Sequence, residues 1–158
     1  MLDALYKAGL TADENDPDYV VVGETKNYNY EKIEKAINLV RKGAKLMGTN
    51  PDLTGPIEKG IAPACKALIS PIELATHIKA YFIGKPNPLI MWHSLKKLHS
   101  RREETIIIGD RMDTDVIAGI ESEIDTVLVL SGITTQENLR AFSYKPHYIL
   151  NNVGEICK

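Results

Sequence analysis

Short apolar runs, several closed by glycine, recur along this chain, and segments of helical period separate them. "YVVVG" at 19–23, "AKLMGTN" at 44–50, "AYFIG" at 80–84, "TIIIG" at 105–109, "DTVLVL" at 125–130 and "HYIL" at 147–150 each read as a strand. Their apolar positions are consecutive rather than alternating, which predicts strands buried on both faces, as in parallel sheets. Between the first two runs, Ile33, Ala36, Ile37 and Val40 fall at i, i+3, i+4 and i+7. That spacing predicts one face of a helix over 30–42, with Gly43 as its stop. A second helix is expected from Pro63, whose missing N–H costs nothing in a first turn. Ala64, Leu68, Ile72 and Ala75 form its apolar side, and Pro71 is expected to kink it. "PNPLIMWHSLKKL" predicts a third helix with Met91, Leu95 and Leu98 inward, and "DVIAGIES" at 115–122 a short fourth. Thr134 and Glu137 have capping-box spacing for another helix start. Leu2 to Leu10 forms a short amphipathic piece ended by Gly9, with Leu2, Leu5 and Ala8 on one side. The acidic stretch 13–18 and the Pro/Gly-rich stretch 51–63 read as loops. Strand and helix alternate throughout, so the predicted class is α/β, with parallel sheets covered on both faces. The expected arrangement is two lobes, residues 1–80 and 81–158.

Composition narrows this picture only modestly. In 158 residues, 44% hydrophobic and 25% charged content is ordinary for a soluble globular chain. A net charge of −2 gives no case for a nucleic-acid or membrane partner. Cys65 and Cys157 form neither a CxxC nor a disulfide framework, which fits a reducing compartment and a cytoplasmic location. His77, His93, His99 and His147 show no ligand spacing, Trp92 reads as a packing residue, and Tyr28 and Tyr30 read as loop and helix-start residues.

The candidate chemistry lies at two strand ends. In open α/β sheets, ligands sit beyond the carboxyl ends of strands. Asp110 directly follows the strand at 105–109. Asp115 comes five residues later, where it can face the same crevice or cap the next helix. Asp113 reads as a plain N-cap. A carboxylate in Asp110's position suits Mg²⁺, which takes one or two carboxylates plus water and phosphate oxygens. Lys85 follows the preceding strand in "FIGKPNP", so a cation and carboxylates would share one crevice. There it can neutralise the carboxylates and hold a phosphate oxygen. No G-x-G-x-x-G follows any strand, which disfavours a dinucleotide-binding dehydrogenase. The spacing of Asp110, Asp113 and Asp115 is not that of a calcium loop.

A lysine after one strand and "GDRMDTD" after the next resembles the haloacid dehalogenase (HAD) superfamily of phosphatases. "GTNPD" at 48–52, "PAC" at 63–65, "YFIGKPNP" at 81–88 and "GDRMDTDVIAGIE" at 109–121 are together similar to its NagD / 4-nitrophenylphosphatase branch. The resemblance implies a Rossmann-like core with an α/β cap lobe, Mg²⁺ as cofactor, and phosphomonoester hydrolysis through a phospho-aspartyl intermediate. Lys85 and Asp115 match catalytic positions, Asp110 the acidic Mg²⁺ ligand, and Asn50 and Asp52 a cap loop that touches the substrate. On this resemblance residues 1–80 are the cap and 81–158 the C-terminal half of the core. "ATHIKAYF" lacks the Gly-Arg expected before the strand, a departure at the cap hinge.

The larger departure concerns the nucleophile. The family's D-x-D-G motif at the end of a first apolar strand has no counterpart in these residues. "TADENDPDY" carries aspartates but neither the strand before nor the glycine after. The expectation is therefore a chain inactive by itself, whether shortened or completed by a separate polypeptide. The alternative is a non-catalytic phosphate-binding or regulatory module. The edge of the 105–108 strand is expected to be bare and apolar, open to a second copy or to the absent segment. The substrate is expected to be a small phosphomonoester of unspecified kind.

Overall fold

A computed structural model describes residues 1–156; Cys157, one of the two cysteines considered above, lies outside the described residues. The chain divides into two compact units, Met1–Ile83 and a second that begins at Gly84. No helix among the described residues is long and apolar enough to cross a membrane.

The first unit contains α1 (Leu2–Lys7), β1 (Tyr19–Val22), α2 (Tyr30–Lys42), β2 (Lys45–Gly48), β3 (Thr54–Ile57), β4 (Gly60–Pro63), α3 (Cys65–Thr76) and β5 (Tyr81–Phe82). β1, β2 and β5 make a parallel sheet in that order, with Val22 beside Gly48 and Gly48 beside Phe82. Because Tyr81 and Phe82 pair with β2, this unit extends past residue 80. α2 starts where expected, with the Asn29 side chain accepting from the Lys32 N–H at 3.0 Å. It ends at Gly43, whose φ of 122° no side chain tolerates easily. Val40, Leu46, Ile69 and Ile72 form the core, and Ile33, Ala36, Ile37, Val20, Val22 and Phe82 pack around them. Gly48 is required by proximity, since a Cβ there would lie 2.3 Å from the Phe82 ring.

Three expectations fail in this unit. The 51–63 stretch is not all loop: Thr54–Ile57 and Gly60–Pro63 pair as an antiparallel hairpin turned at Glu58 and Lys59, with Gly60 at φ 100° opening the second strand. Its Gly and Pro content masked the strands because a two-stranded edge hairpin needs little apolar surface. On α3, Ile69 rather than Ala75 completes the buried side, and the helix runs through Pro71 to Thr76. Leu2 is 55% exposed on α1, so that helix buries no apolar face.

The second unit contains α4 (Pro88–Leu98), β6 (Ile106–Gly109), α5 (Ile117–Glu121), β7 (Asp125–Val129) and β8 (Tyr148–Leu150). A π-helical turn, Met112–Val116, leads into α5. β6, β7 and β8 form a second parallel sheet in that order, leaving β6 at an edge. Leu128, Met112 and Val116 are its buried centre, with Ile120, Leu130, Leu139, Phe142 and Tyr144 around them. Gly119 lets α5 approach the sheet, since a Cβ there would meet Thr126 Cγ2 at 2.2 Å and Ile107 Cγ2 at 2.6 Å. The opposite sheet face is less covered than fully apolar strands predict: Ile106 is 53% exposed and Ile108 44%. Leu98 also points outward, and Trp92 is an exposed residue with the Lys96 ammonium 4.5 Å over its ring. His147 is tied to β7, its Nδ1 accepting from the Thr126 N–H at 3.1 Å.

Candidate active site

β6 is wholly apolar, and the polar residues of the site follow at its carboxyl end. Gly109 closes the strand, and Asp110 follows it. The chain then winds through the π-helical turn, where the N–H groups of Asp115 and Val116 both donate to the Arg111 carbonyl, each at 3.1 Å. This wide turn swings the Asp115 carboxylate back toward the strand end. Gly109 admits it, because a Cβ there would lie 2.2 Å from Asp115 Cγ.

Asp115 is the hub of the site. It is 4% exposed, yet its charge is fully engaged. Oδ2 accepts from the N–H of Asp110 at 3.2 Å and of Arg111 at 3.1 Å. Oδ1 accepts from the Lys85 ammonium, forming an ion pair. Lys85 itself remains 46% exposed along its side chain, while its ammonium is anchored to the buried carboxylate. Asp115 thus joins the lysine to the strand end; it does not serve as a helix cap.

Asp110 sits differently. Its Oδ2 accepts from the Ile133 N–H at 2.8 Å, and its carbonyl from the Thr134 N–H at 2.9 Å. Both donors come from the loop after β7. Among the described residues its Oδ1 accepts no hydrogen bond. Asp113 is not the predicted N-cap. Its two oxygens accept from the Arg111 guanidinium at 3.0 and 2.8 Å, and that hydrogen-bonded cation holds its carboxyl below the ordinary range. The guanidinium fork matches a carboxylate better than a lone helix N–H does.

The residues present fit part of a Mg²⁺ site. No group of three or more His, Cys, Asp or Glu among the described residues could hold a metal ion. Asp110 offers one uncommitted carboxylate oxygen, whereas both Asp115 oxygens are occupied by protein donors. One carboxylate is within the ordinary share that protein gives Mg²⁺, the remainder being water and phosphate oxygens.

Asn50 and Asp52 lie in the first unit, just beyond the carboxyl end of β2. The Asn50 amide donates to Asp52 Oδ2 at 2.5 Å and to Glu24 Oε1 at 3.3 Å, while its own oxygen accepts from the Thr49 hydroxyl at 3.0 Å. Glu24 follows β1, so the two residues from one loop are held against a third polar group. Glu24 was not anticipated from the sequence, since one glutamate in a charged loop carries no pattern. The loop "SGIT" at 131–134 was also missed; the glycine after "VLVL" was its one signal. Thr134 does not open a capping box. It is 4% exposed, and its hydroxyl accepts from the Met112 N–H at 3.3 Å, while the Thr135 and Asn138 side chains close the next turn.

Comparison with known proteins bears on this geometry. Residues 82–156 match a family of hydrolase-like proteins described as HAD-hydrolase-like. The chain is 42% identical over 154 residues to a dihydroxyacetone phosphatase of Corynebacterium glutamicum, covering 98% of this chain and 56% of that protein. It is 40% identical over 156 residues to the ribonucleotide monophosphatase NagD of Escherichia coli K12, covering 99% and 61%. The crystal structure of a 4-nitrophenylphosphatase from Thermotoga maritima superposes with a TM-score of 0.90 at 37% identity, over 98% of this chain and 60% of that one. The chain therefore spans about 60% of the length of these relatives.

Proposed function

We propose that the chain is a haloacid dehalogenase-like hydrolase of the branch that holds NagD and the 4-nitrophenylphosphatases, to which it is similar, and that it serves the hydrolysis of small phosphomonoesters. The observation that carries the proposal is the Lys85–Asp115–Asp110 constellation at the carboxyl end of β6. Lys85 holds a phosphate oxygen through an ammonium N–H that Asp115 does not take. Asp115 keeps that ammonium in place and keeps the Asp110 backbone turned into the crevice. Asp110 Oδ1 would hold a Mg²⁺ ion, which when bound neutralises phosphate charge and orients the ester for in-line attack. These groups bind and stabilise charge but supply no attacking atom.

The 158 residues contain no D-x-D-G, so in this reading the nucleophilic aspartate that forms the phospho-aspartyl intermediate comes from outside them. Residues 1–80 act as the cap, with Asn50 and Asp52 as its substrate-binding residues. The β6 edge, with Ile106 and Ile108 exposed beside it, is the docking place for the complementing strand or for a second copy of the chain. A cytoplasmic location accords with this chemistry.

Hydrolysis of p-nitrophenyl phosphate with Mg²⁺ tests the proposal. The chain alone is expected to show no turnover above an Asp110→Asn variant. A fusion that places the leading segment of the E. coli NagD relative ahead of residue 1 is expected to turn over, and Lys85→Met or Asp110→Asn is expected to abolish it. A folded fusion with no turnover refutes the reading. Turnover by the chain alone that Asp110→Asn abolishes would show that a carboxylate within these residues attacks.

A further inference from the structure

The loop after β7 carries an assignment that neither the motifs nor the relatives' names supply. Leu130 extends the β7–β8 pairing by one bond, its N–H donating to the Leu150 carbonyl at 2.9 Å. Ser131 and Gly132 then turn the chain onto Asp110. Gly132 comes so close that a Cβ on it would lie 2.0 Å from Asp110 Oδ2 and 2.4 Å from Asp110 Cβ. Its φ is not in the left-handed region, so the glycine is required by this approach and not by backbone conformation. The next two N–H groups grip Asp110, Ile133 at the carboxylate and Thr134 at the carbonyl. Thr134 is the buried pin of the loop, since its hydroxyl also accepts from the Met112 N–H.

We propose that Gly132 and Thr134 are positioning residues that decide which Asp110 oxygen meets a divalent cation: the loop occupies Oδ2 and thereby presents Oδ1. This rests on the reading of Asp110 as a cation ligand. The physical logic is that of a metal ligand oriented by its outer hydrogen bonds. A carboxylate free to rotate would offer either oxygen, or both at once. One oxygen fixed by a backbone N–H at 2.8 Å leaves one direction open, without adding a side chain that competes for the ion. Gly132 serves by absence, since any side chain there would push the Asp110 carboxylate off the Ile133 N–H.

Mn²⁺, which shares the oxygen preference of Mg²⁺, is a suitable probe because its paramagnetism broadens amide signals even when binding is weak. In the 158-residue chain, Mn²⁺ is expected to broaden the amides of residues 110–115 and 131–134 selectively, and Asp110→Asn to remove the effect. Gly132→Ala is expected to weaken the response about tenfold while the amide shifts of β8 stay unchanged. Thr134→Val, which keeps the shape and loses the acceptor, is expected to weaken it by about threefold or more, and Thr134→Ser to restore it. Unchanged Mn²⁺ response in folded Gly132→Ala and Thr134→Val would overturn the positioning role alone. Absence of selective broadening in the unaltered chain would overturn the cation reading of Asp110, and the positioning role with it.

Discussion

Replacing Asp115 by asparagine separates the charge of this group from its shape. The carboxylate is 4% exposed and receives the Lys85 ammonium and the N–H groups of Asp110 and Arg111. Asparagine has a single acceptor oxygen. If that oxygen stays with the two backbone donors, its NH₂ faces the Lys85 ammonium, donor against donor. Lys85 is 46% exposed and can turn to water, so the lost ion pair itself is worth only about 1 kcal/mol. Hydrogen bonds to a charged acceptor exceed neutral ones by about 1 kcal/mol each, and two are affected. The sum is about 2–3 kcal/mol. In a unit of this size that lowers Tm by about 10 °C or more. Asp115→Ala is expected to cost more, about 4–5 kcal/mol, because both N–H groups lose their partner. Lys85→Met leaves the buried acceptor with its two backbone donors and is expected to cost about 1 kcal/mol. Urea denaturation followed by Trp92 fluorescence measures the series, since Trp92 is the chain's one tryptophan and lies in the second unit. The expected order is Ala, then Asn, then Met. Asp115→Asn within about 0.5 kcal/mol of the unaltered chain, or no costlier than Lys85→Met, would refute the hub role.

Two further predictions concern the rest of the molecule. Burial alone would raise the Glu73 carboxyl, but the Lys66 ammonium at 2.7 Å, the Ala80 N–H at 2.8 Å and the charges of Lys66 and Lys79 outweigh it and hold it below its ordinary 4.5. A depressed folded value means stability present in full above about pH 4.5 and lost as pH falls through the folded value. The stability gap between the chain and Glu73→Gln, about 1–2 kcal/mol at pH 7, should therefore close on acidification in thermal melts, and a gap that does not change with pH would sink this account. At the β6 edge, the double change Ile106→Thr and Ile108→Thr is expected to reduce concentration-dependent association in sedimentation velocity while altering stability by only about 1 kcal/mol. An unaltered chain that stays monomeric at high concentration would count against the edge as a docking place.

Local pattern was enough for the elements whose burial repeats along the chain. Ile33, Ala36, Ile37 and Val40 do pack on the first unit's core, and every strand read from a continuous apolar run is present, although the run at 80–84 is reduced to Tyr81–Phe82, that at 44–50 to Lys45–Gly48, and β8 keeps only its last three residues. Chain order likewise carried Lys85, Asp110 and Asp115 to strand ends, because a parallel strand sends its following residue to the carboxyl edge. What stayed hidden depended on contacts distant in sequence. The 54–63 hairpin, the outward Leu98 and Trp92, and the half-covered face of Ile106 and Ile108 follow from which neighbours each side chain finds. The same holds at the site. Sequence alone determined that two carboxylates and a lysine would stand near one strand end. Only the tertiary structure divided their work, since Asp115 meets Lys85 thirty residues away and Asp110 meets Ile133 twenty-three residues away. Hydrogen bonds of that separation leave no period in a sequence, and the close approach that makes Gly132 necessary exists only once β6 and β7 lie side by side.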